Sequence, residues 1–224
     1  PLQAAQWLQA RVQHGAQRPV QLHSDSRLVQ PGDAFLAFPG ERADGRAHVQ
    51  SALERGALAC LLQSDDASSA LVQCQAWGID VHDDRVGFLP DLKGQRGWVA
   101  HHFYGEPSHE VGVLAVTGTN GKTTTSWWLA QALERLGERA LVAGTLGVGE
   151  PVWNSLLGVM QLKPFRVAND ALKREGALGM LTTPEATQLH AALRTCVRKG
   201  VRFMSMEASS IGLEEGRMQG LRLE

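Results

Sequence analysis

The sequence predicts an α/β protein in which a small N-terminal α/β domain precedes a second domain with a mainly parallel sheet. Short apolar runs alternate with segments of helical spacing along most of the chain, as in folds built from strand–helix–strand units. Glycine and proline at residues 105–108 interrupt a predicted helix, so we expect two domains, at residues 1–105 and 106–224. Of the 224 residues, 43% are hydrophobic and 20% are charged, and a chain of this size can bury a core.

The first domain contains three predicted helices and two predicted strands. Helical spacing indicates helices at residues 4–12, 47–55 and 89–104, and compact apolar runs indicate buried strands at residues 34–38 and 57–62. Gly56 is expected to cap the second helix. Gly94 and Gly97 are expected to make the third helix irregular.

The second domain is expected to alternate strands with helices. The predicted strands lie at residues 111–116, 139–143 and 201–206, and the predicted helices at residues 122–136 and 187–199. Gly137 is expected to end the first of these helices. Apolar strands in this order predict a parallel sheet that is covered on both faces. Residues 150–179 have no clear periodicity, and we predict an inserted loop with one short helix there.

Composition argues against several classes of function. A formal net charge of −1 gives no bulk attraction to nucleic acid or to an anionic membrane. The longest apolar runs are far too short to span a bilayer, and residues 1–12 show no export signal. Three cysteines in no metal or redox spacing fit a reducing compartment, where thiols stay free. We therefore expect a monomeric cytoplasmic protein that neither binds nucleic acid nor inserts into a membrane.

The strongest local signal is a glycine-rich turn between a predicted strand and a predicted helix. Its glycines permit backbone angles at which successive N–H groups can surround phosphate oxygens, and the start of the helix adds a favourable dipole. The lysine of the turn can reach the β- and γ-phosphates of ATP, and the next hydroxyl can bind Mg²⁺. The predicted nucleotide-binding residues are Gly118, Thr119, Asn120, Gly121, Lys122, Thr123 and Thr124.

This turn departs from the general phosphate-loop pattern, which places another glycine two residues earlier. Val116 stands at that position, so the loop is the shorter form GTNGKT. The alternative interpretation is a glycine-rich turn with a solvated lysine. The strand before the turn and the helix after it favour phosphate binding.

Five sets of short segments occur in the same order as in one enzyme family. They are SDSR at 24–27 with PGDAFLAFPG at 31–40, DGR at 44–46, FYGEPS at 103–108, GTNGKTTT at 118–125, and TTPE at 182–185 with MEASS at 206–210. Together they resemble the Mur ligases, which add amino acids to UDP-N-acetylmuramic acid peptides. The resemblance covers nearly the whole chain and is strongest to the third ligase of that pathway.

The resemblance implies an ATP-dependent amide-forming reaction in peptidoglycan synthesis. ATP phosphorylates the terminal carboxylate of UDP-MurNAc-L-Ala-D-Glu to an acyl phosphate, which the amine of meso-diaminopimelate or L-lysine then attacks. Because a γ-phosphate and a carboxylate repel each other, Mg²⁺ and Lys122 would supply positive charge by position rather than by covalent catalysis. ATP and Mg²⁺ are thus the implied cofactors, with the muramoyl dipeptide nucleotide and a diamino acid as partners.

Glu207 is the second implied catalytic residue. It stands at the carboxyl end of a predicted strand, where parallel sheets place ligand sites. By resemblance it binds Mg²⁺ together with Thr123. A buried carboxylate without a cation is costly, although a salt bridge to an arginine is the alternative.

Ten residues match positions that contact the muramoyl nucleotide in the family: Ser24, Ser26, Glu41, Arg42, Ala43, Thr182, Thr183, Ser209, Glu215 and Arg217. Ser24, Ser26 and the loop at residues 41–43 would contact uridine, and the others, including Ser209, the muramoyl peptide. Arg217 can hold a carboxylate with its fork of donors, unless it is a solvated surface residue. The threonines can alternatively cap the helix that Pro184 begins, and Ser24 can belong to a simple capped turn.

The sequence departs from the family at Ile211, where many relatives have histidine, and at Glu215 if glutamine is expected there. The family continues beyond the position of Glu224 with a modified lysine and a domain that selects the amino acid. We therefore expect residues 1–224 alone to show little amide formation from ATP, muramoyl nucleotide and diamino acid. Rival interpretations are the fourth ligase, which adds D-Ala-D-Ala, and a nucleotide-binding module without catalysis.

Overall fold

A computed structural model describes residues 1–12, 19–40, 43–156, 159–165 and 181–224. Contacts between Cα atoms divide the chain into two compact units, Pro1–Phe103 and Tyr104–Glu224. Both units combine helices with a β-sheet, which confirms the predicted α/β class. Among the described residues, none of the helices combines the length and apolar character that a bilayer crossing requires.

The first unit is built on a four-stranded parallel sheet in the order β1-β2-β3-β4. The strands are β1 (Leu22–His23), β2 (Ala34–Ala37), β3 (Ala59–Gln63) and β4 (Val86–Leu89), and the helices are α1 (Leu2–Val12), α2 (Val49–Glu54), α3 (Ala67–Trp77) and α4 (Leu92–Phe103). Short 3₁₀ helices occur at Ser26–Leu28 and Gly45–His48. The central strands are buried along nearly their whole length, as parallel strands covered on both faces should be.

Two predictions for the first unit are wrong in detail. The predicted helix at 89–104 begins three residues later, because residues up to Leu89 continue as β4. Its expected irregularity is also absent, since α4 runs unbroken from Leu92 to Phe103. The Asp91 carboxylate accepts a hydrogen bond from the Gly94 amide at 3.2 Å and lies where a side chain at position 94 would be. The glycine therefore makes room for a carboxylate that stabilises the helix start.

The second unit is built on a five-stranded mixed sheet in the order β5-β9-β6-β7-β8. Its strands are β5 (Gly112–Val116), β6 (Ala140–Gly144), β7 (Gly147–Asn154), β8 (Val159–Pro164) and β9 (Phe203–Glu207), and its helices are α5 (Lys122–Arg135), α6 (Ala186–Arg198) and α7 (Ser210–Glu214). Strand β9 pairs in parallel with β5 and β6, as the sequence predicts for these three strands. Strands β7 and β8 extend the sheet in the antiparallel sense.

The hairpin of β7 and β8 corrects the prediction of an inserted loop at residues 150–179. Residues 150–154 and 159–164 of that stretch are strands, and residues 166–179 lie outside the described part of the chain. Leu162 packs against the core that α5 and β6 form, and the Glu150 carboxylate pairs with Arg139. These tertiary contacts stabilise a pairing that local periodicity does not reveal.

The three cysteines are free and buried. Burial raises the pKa of Cys60 and of Cys196 to about 12, and it also raises the pKa of Cys74. Because the thiolate is the reactive form, a thiol that stays protonated is a poor nucleophile.

We expect the folded chain to react negligibly with a disulfide reagent such as dithionitrobenzoate at pH 8. Unfolding in guanidinium should expose all three thiols and release three equivalents of chromophore per chain. Absorbance before and after denaturation measures both quantities. Rapid release of one equivalent from the folded chain would contradict the buried positions.

Candidate functional site

The candidate site of the second unit lies at the carboxyl ends of β5, β6 and β9. Parallel pairing brings Val116 level with Glu207 and Ala143 level with Met206, so the segments that follow these strands meet at one edge of the sheet. A cavity of about 330 Å³ lies there, lined by Thr119, Asn120, Gly121, Lys122, Thr123, Thr124, Thr145, Thr182 and Glu207. The sequence predicts phosphate or metal binding for seven of these nine residues.

The phosphate loop forms as the sequence predicts, between β5 and α5. Gly118 has φ 137° and Gly121 has φ 78°, backbone angles that residues with a Cβ rarely adopt. Helix α5 begins at Lys122 and has no side-chain cap, so the first-turn amides of the helix are donors that an anion can use. The strand, the turn and the helix start together have the geometry of an anion site.

Lys122 places its ammonium group over the loop. Its Nζ donates to the carbonyl oxygen of Gly118 at 2.6 Å and to that of Thr119 at 3.4 Å. The side chain is only half-buried, so the positive charge stays beside the cavity and accessible to an anion. An ammonium beside the cavity can neutralise phosphate oxygens that enter it.

Glu207 ends β9 and is 1% exposed. Its Oε1 accepts a hydrogen bond from the backbone N–H of Thr145 at 2.9 Å, and its Oε2 accepts one from Thr145 Oγ1 at 3.2 Å. Among the residues that the structure describes, both donors to the carboxylate thus belong to Thr145, and no arginine pairs with it as in the alternative interpretation. A buried carboxylate with two neutral donors keeps further lone pairs for a cation.

The donor set fits a divalent ion of the Mg²⁺ class. The Thr123 hydroxyl and the Glu207 carboxylate line the same cavity, and both offer the oxygen ligands that Mg²⁺ prefers. Thr123 and Glu207 are therefore the residues that would hold the metal. One or two protein oxygen ligands are usual for Mg²⁺ at phosphate sites.

Two of the predicted substrate residues, Thr183 and Ser209, form a hydrogen-bonded network behind Glu207. Thr183 Oγ1 donates to the backbone carbonyl of Glu207 at 3.0 Å and lies 3.0 Å from Ser209 Oγ, while the Ser209 amide donates back to Thr183 Oγ1 at 2.9 Å. Ser209 also caps α7 by accepting from the Gly212 amide. Neither threonine caps α6, because that helix begins at Ala186 and its cap is Glu185.

Arg217 and Glu215 contact each other, which the sequence does not reveal. Arg217 Nε donates to Glu215 Oε2 at 2.7 Å, and Arg217 Nη1 donates to the backbone carbonyl of Thr183 at 2.9 Å. Arg217 is buried, so the alternative of a solvated surface arginine is wrong. Its fork of donors holds the segment that begins at Thr182 against α7, and a substrate carboxylate would share this fork with Glu215.

Two of the predicted uridine residues, Ser24 and Ser26, follow the carboxyl end of β1. Ser24 follows the strand and is half-buried, and Ser26 opens a 3₁₀ helix whose cap is Asp25. The Asp25 carboxylate accepts from the amide and the guanidinium of Arg27, which lowers the pKa of that carboxyl. Ala43 is exposed, and its carbonyl accepts from the Gly40 amide; Glu41 and Arg42 lie outside the described residues.

Gly144 and Thr145 are site residues that the sequence analysis misses. They directly follow the predicted strand at residues 139–143, at the edge where parallel sheets place ligands. That position is the signal that could have identified them. Glu207 holds the equivalent position at the end of β9, which pairs with this strand.

Comparisons with known proteins agree with this architecture. The family description "Mur ligase family, catalytic domain" matches residues 21–91, and "Mur ligase middle domain" matches residues 116–224. The chain is 38% identical to a UDP-N-acetylmuramoyl-L-alanyl-D-glutamate--2,6-diaminopimelate ligase of Acidovorax sp. (strain JS42), over 99% of this chain and 38% of that protein. It is also 38% identical to the protein of the same name from Pseudomonas aeruginosa, over 90% and 35%.

A solved structure gives the same result. The structure titled UDP-N-acetylmuramoyl-L-alanyl-D-glutamate--2,6-diaminopimelate ligase superposes with a TM-score of 0.60 and 28% identity, over 91% of this chain and 34% of that one. The chain spans little more than a third of the length of the relatives it matches. Both domain matches and the similar relatives name one family, and the chain belongs to the Mur ligases.

Proposed function

We propose that this chain supplies the ATP site and the muramoyl-nucleotide site of an ATP-dependent ligase. The enzyme would join a diamino acid to UDP-MurNAc-L-Ala-D-Glu in peptidoglycan precursor synthesis. The observation that supports this most directly is the cavity that combines a phosphate loop, Lys122 and a buried Glu207 at one edge of the sheet. Because the similar relatives are named 2,6-diaminopimelate ligases, we propose meso-diaminopimelate rather than lysine as the amino acid.

The proposed reaction has two steps, and the residues of this chain act on the first. The substrate carboxylate attacks the γ-phosphorus of ATP, forming an acyl phosphate and releasing ADP. The amine then attacks the acyl carbon, and the amide forms as inorganic phosphate leaves. The loop amides and Lys122 would hold the phosphates in line with the carboxylate, which is positioning and charge neutralisation rather than covalent catalysis.

Mg²⁺ would withdraw charge from the phosphate oxygens when it is bound. Thr123 and Glu207 are its proposed protein ligands. Thr182, Thr183, Ser209, Glu215 and Arg217 are proposed to contact the muramoyl peptide. Their network is bonded to the backbone carbonyl of Glu207, so it can fix the substrate carboxylate relative to the phosphate site.

In the first unit we propose that Ser24, Ser26, Glu41, Arg42 and Ala43 bind the uridine nucleotide. We also propose a domain boundary between residues 105 and 106. A cytoplasmic monomer without nucleic-acid partners fits the formal net charge of −1 and the three free cysteines.

Isothermal titration calorimetry with four ligands tests the proposal on this chain. A non-hydrolysable ATP analogue should bind in the presence of Mg²⁺, and UDP-MurNAc-L-Ala-D-Glu should bind as an independent ligand. The corresponding tripeptide and UDP-N-acetylglucosamine serve as comparison ligands. Binding of the ATP analogue without either muramoyl nucleotide would instead indicate a nucleotide-binding module, and no ATP binding would refute the proposed function.

A further inference from the structure

Thr145 reaches the Glu207 carboxylate with two different donors. Its backbone N–H contacts one oxygen at 2.9 Å and its hydroxyl contacts the other at 3.2 Å. Two bonds to two oxygens fix both the position and the plane of the carboxylate, which one bond would leave free to rotate about Cγ–Cδ. Thr145 itself is exposed to the cavity, whereas Glu207 is buried behind it.

The proton of the Thr145 hydroxyl gives this contact a direction. A threonine hydroxyl carries one proton, and a carboxylate without a proton can only accept. Thr145 Oγ1 is the donor to Glu207 Oε2 at 3.2 Å, and it is also the donor to Thr182 Oγ1 at 3.4 Å, so the two acceptors share its single proton. The Thr145 hydroxyl therefore contacts both Thr182 and Glu207, and the shorter of the two hydrogen bonds is the one to Glu207.

We propose that Thr145 is a positioning residue that orients Glu207 for the divalent ion and connects it to Thr182. This inference rests on the proposed function, because it assigns a role at the same metal and nucleotide site. Without the hydroxyl, Glu207 Oε2 loses its neutral donor and the carboxylate can rotate. A ligand that is oriented in advance binds a cation more tightly than one that must be ordered on binding.

The test measures how strongly nucleotide binding depends on the metal. Calorimetry gives the dissociation constant of the ATP analogue with Mg²⁺ and with EDTA, and the ratio of the two constants is the metal-dependent gain. Titration with Mn²⁺, followed by the loss of its free electron paramagnetic resonance signal, measures ion binding to the nucleotide complex directly. Neither readout requires turnover.

Thr145→Val, which keeps the shape and removes the hydroxyl, should lower the metal-dependent gain by about tenfold. Binding in EDTA should change by less than about twofold, because the loop amides and Lys122 are untouched. Thr145→Ala should lower the metal-dependent gain as Thr145→Val does. It provides the test if the Thr145→Val chain does not fold. Thr145→Ser keeps the hydroxyl and should retain most of the gain.

Thr195→Val is the matched control, since Thr195 Oγ1 donates at 2.9 Å to the Ala191 carbonyl within α6 and takes no part in the site. A full metal-dependent gain in both Thr145→Val and Thr145→Ala would overturn the inference, as would an equal loss in the Thr195 control. If the parent chain binds no nucleotide in either buffer, the proposed function itself fails and this inference fails with it.

Discussion

Lys122→Ala is expected to weaken binding of a non-hydrolysable ATP analogue by about 100-fold, the largest effect of any single substitution at the phosphate loop. The ammonium of Lys122 lies over the loop and donates to the carbonyl oxygens of Gly118 and Thr119. Its removal leaves those carbonyls without their donor and leaves the triphosphate without a positive charge from the loop. Calorimetry at constant Mg²⁺ measures the dissociation constant.

Two controls separate loss of charge from loss of fold. Lys93→Ala removes an exposed lysine from α4 of the first unit and should leave nucleotide affinity unchanged. Thermal unfolding of Lys122→Ala should stay close to that of the parent, because the side chain is only half-buried. If the Lys122→Ala chain held the nucleotide as tightly as its parent, the loop would not be a phosphate site and the ligase proposal would lose its main support.

The phosphate loop could be predicted from sequence because its determinants are local. A strand, two glycines that need positive φ and a helix start follow one another within residues 112–122, and each is specified by its own residues. The predicted bounds of α5 and β5 are correct to within one residue at each end. Glu207 was also placed correctly, because the carboxyl end of a parallel strand is a general position for ligand groups.

The strands that sequence reasoning missed depend on contacts with distant parts of the chain. Strand β1 has two residues, and it is recognisable only through its pairing with β2. Helix α3 has little contrast between its faces, and its ends are marked by the Asp66 cap and by Gly78 at φ 66°. Strands β7 and β8 depend on each other and on packing against α5, so neither shows a clear period of its own.

The side-chain contacts of the predicted substrate residues could not be predicted from the sequence either. Glu215 and Arg217 are each predicted to contact substrate, and the structure shows in addition that their side chains bond to each other. Gly216 between them has φ 67°, a turn that brings the two side chains to one side. The residue types predict the charges of the two side chains, but the turn at Gly216 determines that they pair with each other.

Gly144→Ala is expected to abolish most of the metal-dependent gain in nucleotide affinity, as Glu207→Gln should. A Cβ at position 144 would lie 2.2 Å from Glu207 Oε1 and 2.6 Å from its Cδ, both far inside van der Waals contact. The Glu207 carboxylate would have to rotate away from Thr145 and lose both hydrogen bonds. Because Glu207 is buried, the displaced charge would be poorly solvated, and we expect a loss of about 1–3 kcal/mol in the free energy of unfolding.

A double-mutant cycle identifies the clash as the cause. In a Glu207→Ala background the Oε1, Cδ and Cγ atoms that meet the new Cβ are gone, so Gly144→Ala should be close to neutral there. Chemical unfolding of the parent, both single variants and the double variant gives the coupling energy, and calorimetry of the same four chains gives the metal-dependent gain. An equal stability cost of Gly144→Ala in both backgrounds would mean that the backbone at position 144, and not contact with Glu207, determines the effect. A large coupling energy, together with loss of the metal-dependent gain in nucleotide affinity, would establish why β6 ends in a glycine. The Glu207 carboxylate lies against the backbone at position 144 and leaves no room for a Cβ.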